Sequence, residues 1–69
     1  MNMELLDVVA LTNAIPERNL AAGSVGTIVE ILDENHCEVE FSDKNGECYA
    51  LLAVQTKDLM VLRYEPIAA

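Results

Sequence analysis

The sequence predicts an all-β fold, one small sheet of five strands, and three observations predict it. Stretches rich in Val, Ile, Leu and other β-formers recur along the chain, with Val25 to Leu32 (VGTIVEIL) the strongest. Turn signals separate them: Gly23-Ser24, Asp33-Glu34-Asn35 and Asn45-Gly46. Between two of those turns, His36 to Phe41 alternates cleanly, with Cys37, Val39 and Phe41 on the inward face and His36, Glu38 and Glu40 on the outward one. At 69 residues there is room for a single domain, 1–69, and 52% hydrophobic against 23% charged residues is too apolar for a disordered chain. A domain this short buries only ~60% of the surface its unfolded chain exposes, so association with a partner or a second copy would help it.

Each element follows in order. Leu5 to Leu11 (LLDVVAL) reads as the first strand, ended by Thr12-Asn13. Asn13 to Ser24 is a long loop, because Pro16 cannot donate to a sheet ladder; Ile15 and Leu20 are expected to tuck beneath it as anchors. Gly23-Ser24 turns the chain into Val25 to Leu32, whose apolar residues fall on both faces, as in a strand that bends to serve two halves of a barrel. Gly26 permits the bend or a close backbone approach. Ser42 to Gly46 is a hairpin loop, with Asn-Gly supplying positive φ, and Cys48 to Val54 is the return strand. Gln55 to Leu59 reads as one 3-10 turn with Thr56 as N-cap, Met60 to Arg63 as a short closing strand, and Glu65 to Ala69 as a frayed tail. A long loop after the first strand and a helical turn before the last is the connectivity of an SH3-like barrel.

Charge restricts the partners. Twelve acidic and four basic residues give a formal charge of −8. Nucleic-acid binding rests on Lys and Arg that release counterions from phosphates, and here Arg18, Lys44, Lys57 and Arg63 stand singly among acidic residues. No nucleic acid and no membrane surface is expected as a partner. A basic protein is the favoured kind, since complementary fields speed encounter; the alternative is that the charge only keeps an apolar domain soluble. Met1 to Leu11 carries Glu4 and Asp7 and lacks the basic start of a signal peptide, and the apolar run Tyr49 to Val54 is too short to span a bilayer, so a cytoplasmic location is expected.

Chemistry-bearing residues are few. Cys37 and Cys48 are not opposite in either register of their hairpin, Cys48 falling near Phe41 or Glu40, so both are expected to be free thiols. His36, Cys37 and Glu38 are ligand-type residues, but strand alternation sends neighbours to opposite faces, and no CxxC or HxxxH spacing exists for a four-ligand zinc site. The same alternation denies either cysteine a hydrogen bond from His36 that would activate it. Glu38 and Glu40 lie ~6–7 Å apart on one strand face, yet a chain this short offers no substrate cleft around paired carboxylates. Gly23-Ser24-Val25-Gly26 lacks the glycine pattern and following helix of a phosphate loop. No enzyme activity, cofactor or metal is expected.

One resemblance covers nearly the whole chain, Leu5 to about Leu62. Leu6-Asp7-Val8-Val9-Ala10-Leu11-Thr12, Ile15-Pro16-Glu17 and Leu20 through Glu30 (LAAGSVGTIVE) open an ordered set. Val39-Glu40-Phe41, Gly46-Glu47 and Leu51-Leu52 to Asp58-Leu59 continue it. Together they resemble a family of small bacterial proteins of unknown function with an SH3-like barrel. The Gly23-x-x-Gly26-x-Ile28 segment is also similar to small barrels of ribosomal and transcription proteins and to the barrel of nitrile hydratase β subunits. Those likenesses imply a fold; the RNA-binding members of the first group use basic loops that this chain lacks, and fold does not carry function across.

A surplus of apolar residues marks where a partner would dock. Cys48 to Val54 is apolar at both parities, so either Tyr49, Leu51 and Ala53 or Cys48, Ala50 and Leu52 stay outside, and Leu6 and Val8 add to the surplus. A small barrel has one interior, and a contiguous outer apolar patch marks an interface, unless a bent sheet or the long loop covers it. Glu38 and Glu40, with Asp43 and Glu47, would rim the patch and select a basic partner, or serve solubility alone. Ile15-Pro16-Glu17 lies where SH3 domains meet proline-rich peptides, but such grooves are lined by aromatics, and this chain has no Trp and two Tyr. The expected function is a non-catalytic protein-binding module that neutralises or accompanies a basic protein, antitoxin-like or as an accessory subunit. A self-associating homodimer is the alternative, and an RNA- or ribosome-associated barrel the third, disfavoured by the charge.

Overall fold

The computed structural model describes residues 3–63. Within them the chain forms β1 (Val8–Leu11), β2 (Val25–Asp33), β3 (His36–Ser42), β4 (Cys48–Gln55) and β5 (Leu59–Val61). Two 3-10 segments, Pro16–Arg18 and Thr56–Asp58, complete the elements. All pairings are antiparallel, in the order β4-β3-β2-β1-β5. The fold is all-β, as the strand count and alternation predict. No helix among the described residues is long and apolar enough to cross a membrane.

The sheet does not close. β5 pairs with β1 through all three of its residues, and β4 pairs with β3, but no ladder joins β4 to β5 among the described residues. Among the described residues the ladders therefore form an open sheet, without the closure expected of a barrel. β2 supplies the bend, with register shifts between Ile28 and Glu30 and between Ile31 and Asp33.

The inner face carries the core. Val9, Leu11, Leu20, Ile28, Cys37, Val39, Phe41, Val54 and Leu59 form one buried cluster. Burying a side chain of this size fully contributes ~1.5–3 kcal/mol, so a handful of them decides whether so short a chain folds. At Gly26 the packing of β2 on β3 leaves no room for a side chain. A Cβ there would meet Val39 Cγ1 at 2.6 Å and the Glu40 carbonyl at 2.8 Å, so the strands could not approach as they do with a side chain present. The long loop is anchored as expected: Ile15 and Leu20 form an isolated bridge, and Leu20 is buried.

Several boundaries differ from the sequence reading. β1 begins at Val8, three residues late. Glu4 to Asp7 instead form a turn, in which the Asp7 amide donates to the Glu4 carbonyl (3.1 Å) and Leu6 adopts φ 71°. The backbone still reaches Ile28 through the Leu6 amide (2.8 Å), but β2 shifts register just beyond, leaving Leu5 and Leu6 no partner strand. Thr56 is not an N-cap: it is the first 3-10 residue, makes no side-chain cap bond and is buried, while its amide donates to the Asn35 carbonyl (2.8 Å). Cys48 pairs with Ser42, not with Phe41 or Glu40, because a register shift follows Phe41. The closing strand spans Leu59–Val61, ahead of the expected Met60 to Arg63. Tyr64 and the expected frayed tail lie outside the described residues.

Candidate functional site

Burial on β3 fixes the faces of β4. Cys37, Val39 and Phe41 are buried, and they pair with Val54, Leu52 and Ala50, so these three take the inner side. Tyr49, Leu51 and Ala53 are left on the outer face, all exposed. The two large side chains are 53% and 50% exposed, about half their surface in water.

The ladders arrange the outer face in rows. One row runs Val8, Thr27, Glu40, Leu51 from β1 to β4; the next runs Glu30, Glu38, Ala53 from β2 to β4. Of the residues singled out from sequence, Val8, Glu38, Glu40, Tyr49, Leu51 and Ala53 therefore share one face. Val8 is not continuous with the β4 apolar strip: Thr27 and Glu40 stand between, and three strand spacings make ~14 Å. Leu6 lies off the sheet, in the turn before β1, 70% exposed. A further row was not anticipated as part of the surface: Met60 on β5 and Val25 on β2 are exposed on either side of the buried Ala10 on β1. Its signal was present in Val25 and Met60 but spread over three strands distant in sequence.

The electrostatics of the face are one-sided. Glu30 and Glu38 sit directly opposite each other, and like charges in that position destabilise a sheet. Among the described residues the ion pairs are His36 with Asp33 (2.9 Å) and Lys57 with Asp58 (3.3 Å), and neither neutralises the glutamates of the outer face. The apolar strip of β4 thus borders uncompensated carboxylates on β3.

His36, Cys37 and Glu38 diverge as alternation requires, Cys37 buried on the inner face and its neighbours half-buried on the other. His36 Nδ1 donates to the Asp33 carboxylate, which also accepts from the Asn35 amide (2.8 Å); these bonds hold the Asp33 carboxyl below its ordinary range. Cys37 and Cys48 are free thiols. Burial, with the nearby Asp33 charge, raises the Cys37 thiol, which keeps it from the thiolate form a nucleophile needs. A shallow cleft of about 450 Å³ opens beside it, lined by Met3, Ile31, Asp33, Thr56 and Lys57. No group of three or more His, Cys, Asp or Glu able to hold a metal is present among the described residues.

Comparison with curated proteins and with solved structures gives no match. A family profile does match, over residues 5–61, from the turn ahead of β1 to the last residue of β5. The chain belongs to that family, DUF4926, a domain of unknown function.

Proposed function

We propose that this domain is a non-catalytic protein-binding module, an SH3-like sheet that docks a basic protein partner on its outer face. One observation carries the reading: Tyr49 and Leu51 are half exposed on β4, beside Glu38 and Glu40 of β3, which no cation among the described residues offsets. Apolar contact supplies affinity, and the carboxylates orient a cationic partner and speed its approach. The net charge of −8 extends the same preference beyond contact range. Strand order, the long loop and the 3-10 turn before β5 support the SH3-like reading. Two free thiols suit a reducing cytoplasm, where the domain would neutralise or accompany its partner as an antitoxin-like protein or accessory subunit.

A tagged copy is expected to capture one basic protein, less of it as salt rises, and the pair Tyr49→Ser with Leu51→Ser is expected to abolish capture while the fold persists. Capture of no basic protein, or capture indifferent to both salt and the substitutions, rejects the reading. A second reading, a homodimer sealed through β4, is favoured by the absence of charged residues in Cys48–Gln55. A single monomeric species in sedimentation at micromolar concentration rejects it.

A further inference from the structure

The backbone hydrogen bonds determine which groups β4 turns away from the sheet. Ile28 bonds toward β1: its amide donates to the Asp7 carbonyl (2.9 Å) and its carbonyl accepts from the Leu6 amide (2.8 Å). Opposite residues of an antiparallel ladder either face each other or both face away, so Val39, opposite Ile28, turns its backbone groups to β4, where it meets Leu52. Leu52 therefore bonds inward, and its neighbours Leu51 and Ala53 present free amides and carbonyls at the edge; Tyr49, the extra residue at the register shift beside Phe41, falls outside this alternation. The Thr56 amide, bonding back to Asn35, gives the same phase from the other end of the strand. Leu51 and Ala53 thus turn both their side chains and their backbone groups outward.

Edges of this length are ordinarily blunted by proline, lysine or a bulge along the strand. β4 is eight residues long, CYALLAVQ, without proline or charge, and its one register shift lies at the Cys48 end. The other edge, β5, has three residues. We infer that β4 accepts an extended segment of the basic partner as a sixth strand, with a lysine or arginine of that segment in the row of Ala53. This rests on the proposed function and deepens it by naming the mode of docking.

Ala53 explains the choice of residue. In its row the order from β2 is Glu30, Glu38, Ala53, then the added strand, and the alanine methyl leaves a trough between the newcomer and two carboxylates. The added strand lies ~10 Å from β3, two strand spacings, a span that a lysine or arginine crosses with its aliphatic stem on Ala53 and Leu51. Its cation then relieves the Glu30–Glu38 repulsion. A second copy as the added strand would bring another −8 chain and more glutamates to the same sheet, and it offers no cation from β4 for the trough. Charge complementarity selects the cationic segment.

The test uses the full chain and a synthetic peptide alternating valine and lysine, with a valine–glutamate peptide as control. The lysine peptide is expected to bind, the glutamate peptide not to, and the amides of Leu51 and Ala53 are expected to gain protection from hydrogen exchange. Ala53→Pro removes one outward amide without touching the β3 ladder, and is expected to weaken binding at least about tenfold. If Ala53→Pro fails to fold, Ala53→Arg, which fills the trough from the chain itself, is expected to weaken it comparably. Equal binding by wild type and folded variant overturns strand addition and leaves the outer-face reading intact. Absence of peptide binding also overturns strand addition, while the proposed function retains its own test in capture of a basic protein. Protection of the β4 amides in a dimer without peptide makes the occupant a second copy and overturns the inference as well.

Discussion

β3 and β4 lie side by side, nearly equal in length, and divide their side chains differently. β3 alternates without exception: Cys37, Val39 and Phe41 are buried and His36, Glu38, Glu40 and Ser42 are partly exposed. On β4, Val54 is buried and Ala50 and Leu52 partly so, yet the opposite face is as apolar as the inner one. β3 is central, with a ladder on each side, so its inner side chains pack on the whole core, while its outer ones are polar and include the Glu38 that opposes Glu30. β4 is an edge with one ladder, and its outer Tyr49 and Leu51 keep about half their surface in water in the fold of a single chain. The difference separates residues that stability demands from residues it does not, and the second set is where binding is to be sought.

Truncation breaks the comparison most directly. Phe41→Ala removes the largest fully buried side chain and is expected to cost ~3–5 kcal/mol, enough to unfold much of a domain of this size. Leu51→Ala, on the neighbouring strand but the outer face, is expected to stay within about 0.5 kcal/mol of wild type. Urea unfolding of both variants measures the pair. A loss at Leu51 approaching that at Phe41 would mean that the outer face is part of the core, and the docking surface would go with it.

Gly26→Ala sharpens the same contrast from the backbone side. The new methyl would press on Val39, whose branched side chain has little freedom, and on the Glu40 carbonyl, which cannot move without shifting β3. A destabilisation of ~1–3 kcal/mol is expected, read as a lower urea midpoint. Wild-type stability in this variant would show that β2 and β3 do not approach as closely as their ladder indicates.

How far the sequence revealed this structure follows the same division. β3 was legible because its polar and apolar residues alternate, and the Asn45-Gly46 loop because of its turn residues, although of that pair only Gly46 takes positive φ (82°), with the Asp43 carboxylate accepting from the Asn45 and Glu47 amides (2.8 and 3.0 Å). Ile15 and Leu20 were legible as the apolar residues of a polar loop. The faces of β4 were not, since both parities are apolar; pairing Leu52 with Val39 decides them, and pairing is a tertiary fact. Leu5 and Leu6 have strand composition but no strand to pair with, so composition misplaced the start of β1. The bulge after Phe41 hid the partner of Cys48. Of the site, its residues were legible and its geometry was not: the Glu30–Glu38 opposition and the free backbone groups of Leu51 and Ala53 depend on register.

The smallest expected effect concerns the turn that feeds β3, and it is read in acid. Asp33 accepts from His36 Nδ1 at 2.9 Å and from the Asn35 amide at 2.8 Å, bonds that favour the charged carboxylate. Its folded pKa is therefore below the ordinary value of 3.8. A group depressed on folding stabilises the folded chain fully above its unfolded pKa and loses that contribution as pH falls through the folded one. Asp33→Asn should therefore be less stable than wild type near neutrality, and the gap in melting temperature should narrow below pH 3.8 as protonation removes from the wild type the charge that the variant lacks. The effect is small because the carboxylate is exposed to solvent, which screens the pair. Carboxyl titration followed by NMR measures the shift directly. A midpoint for Asp33 at or above 3.8 would mean that His36 and Asn35 do not hold this turn in solution, and that β3 depends on its buried face and the Asp43 loop alone.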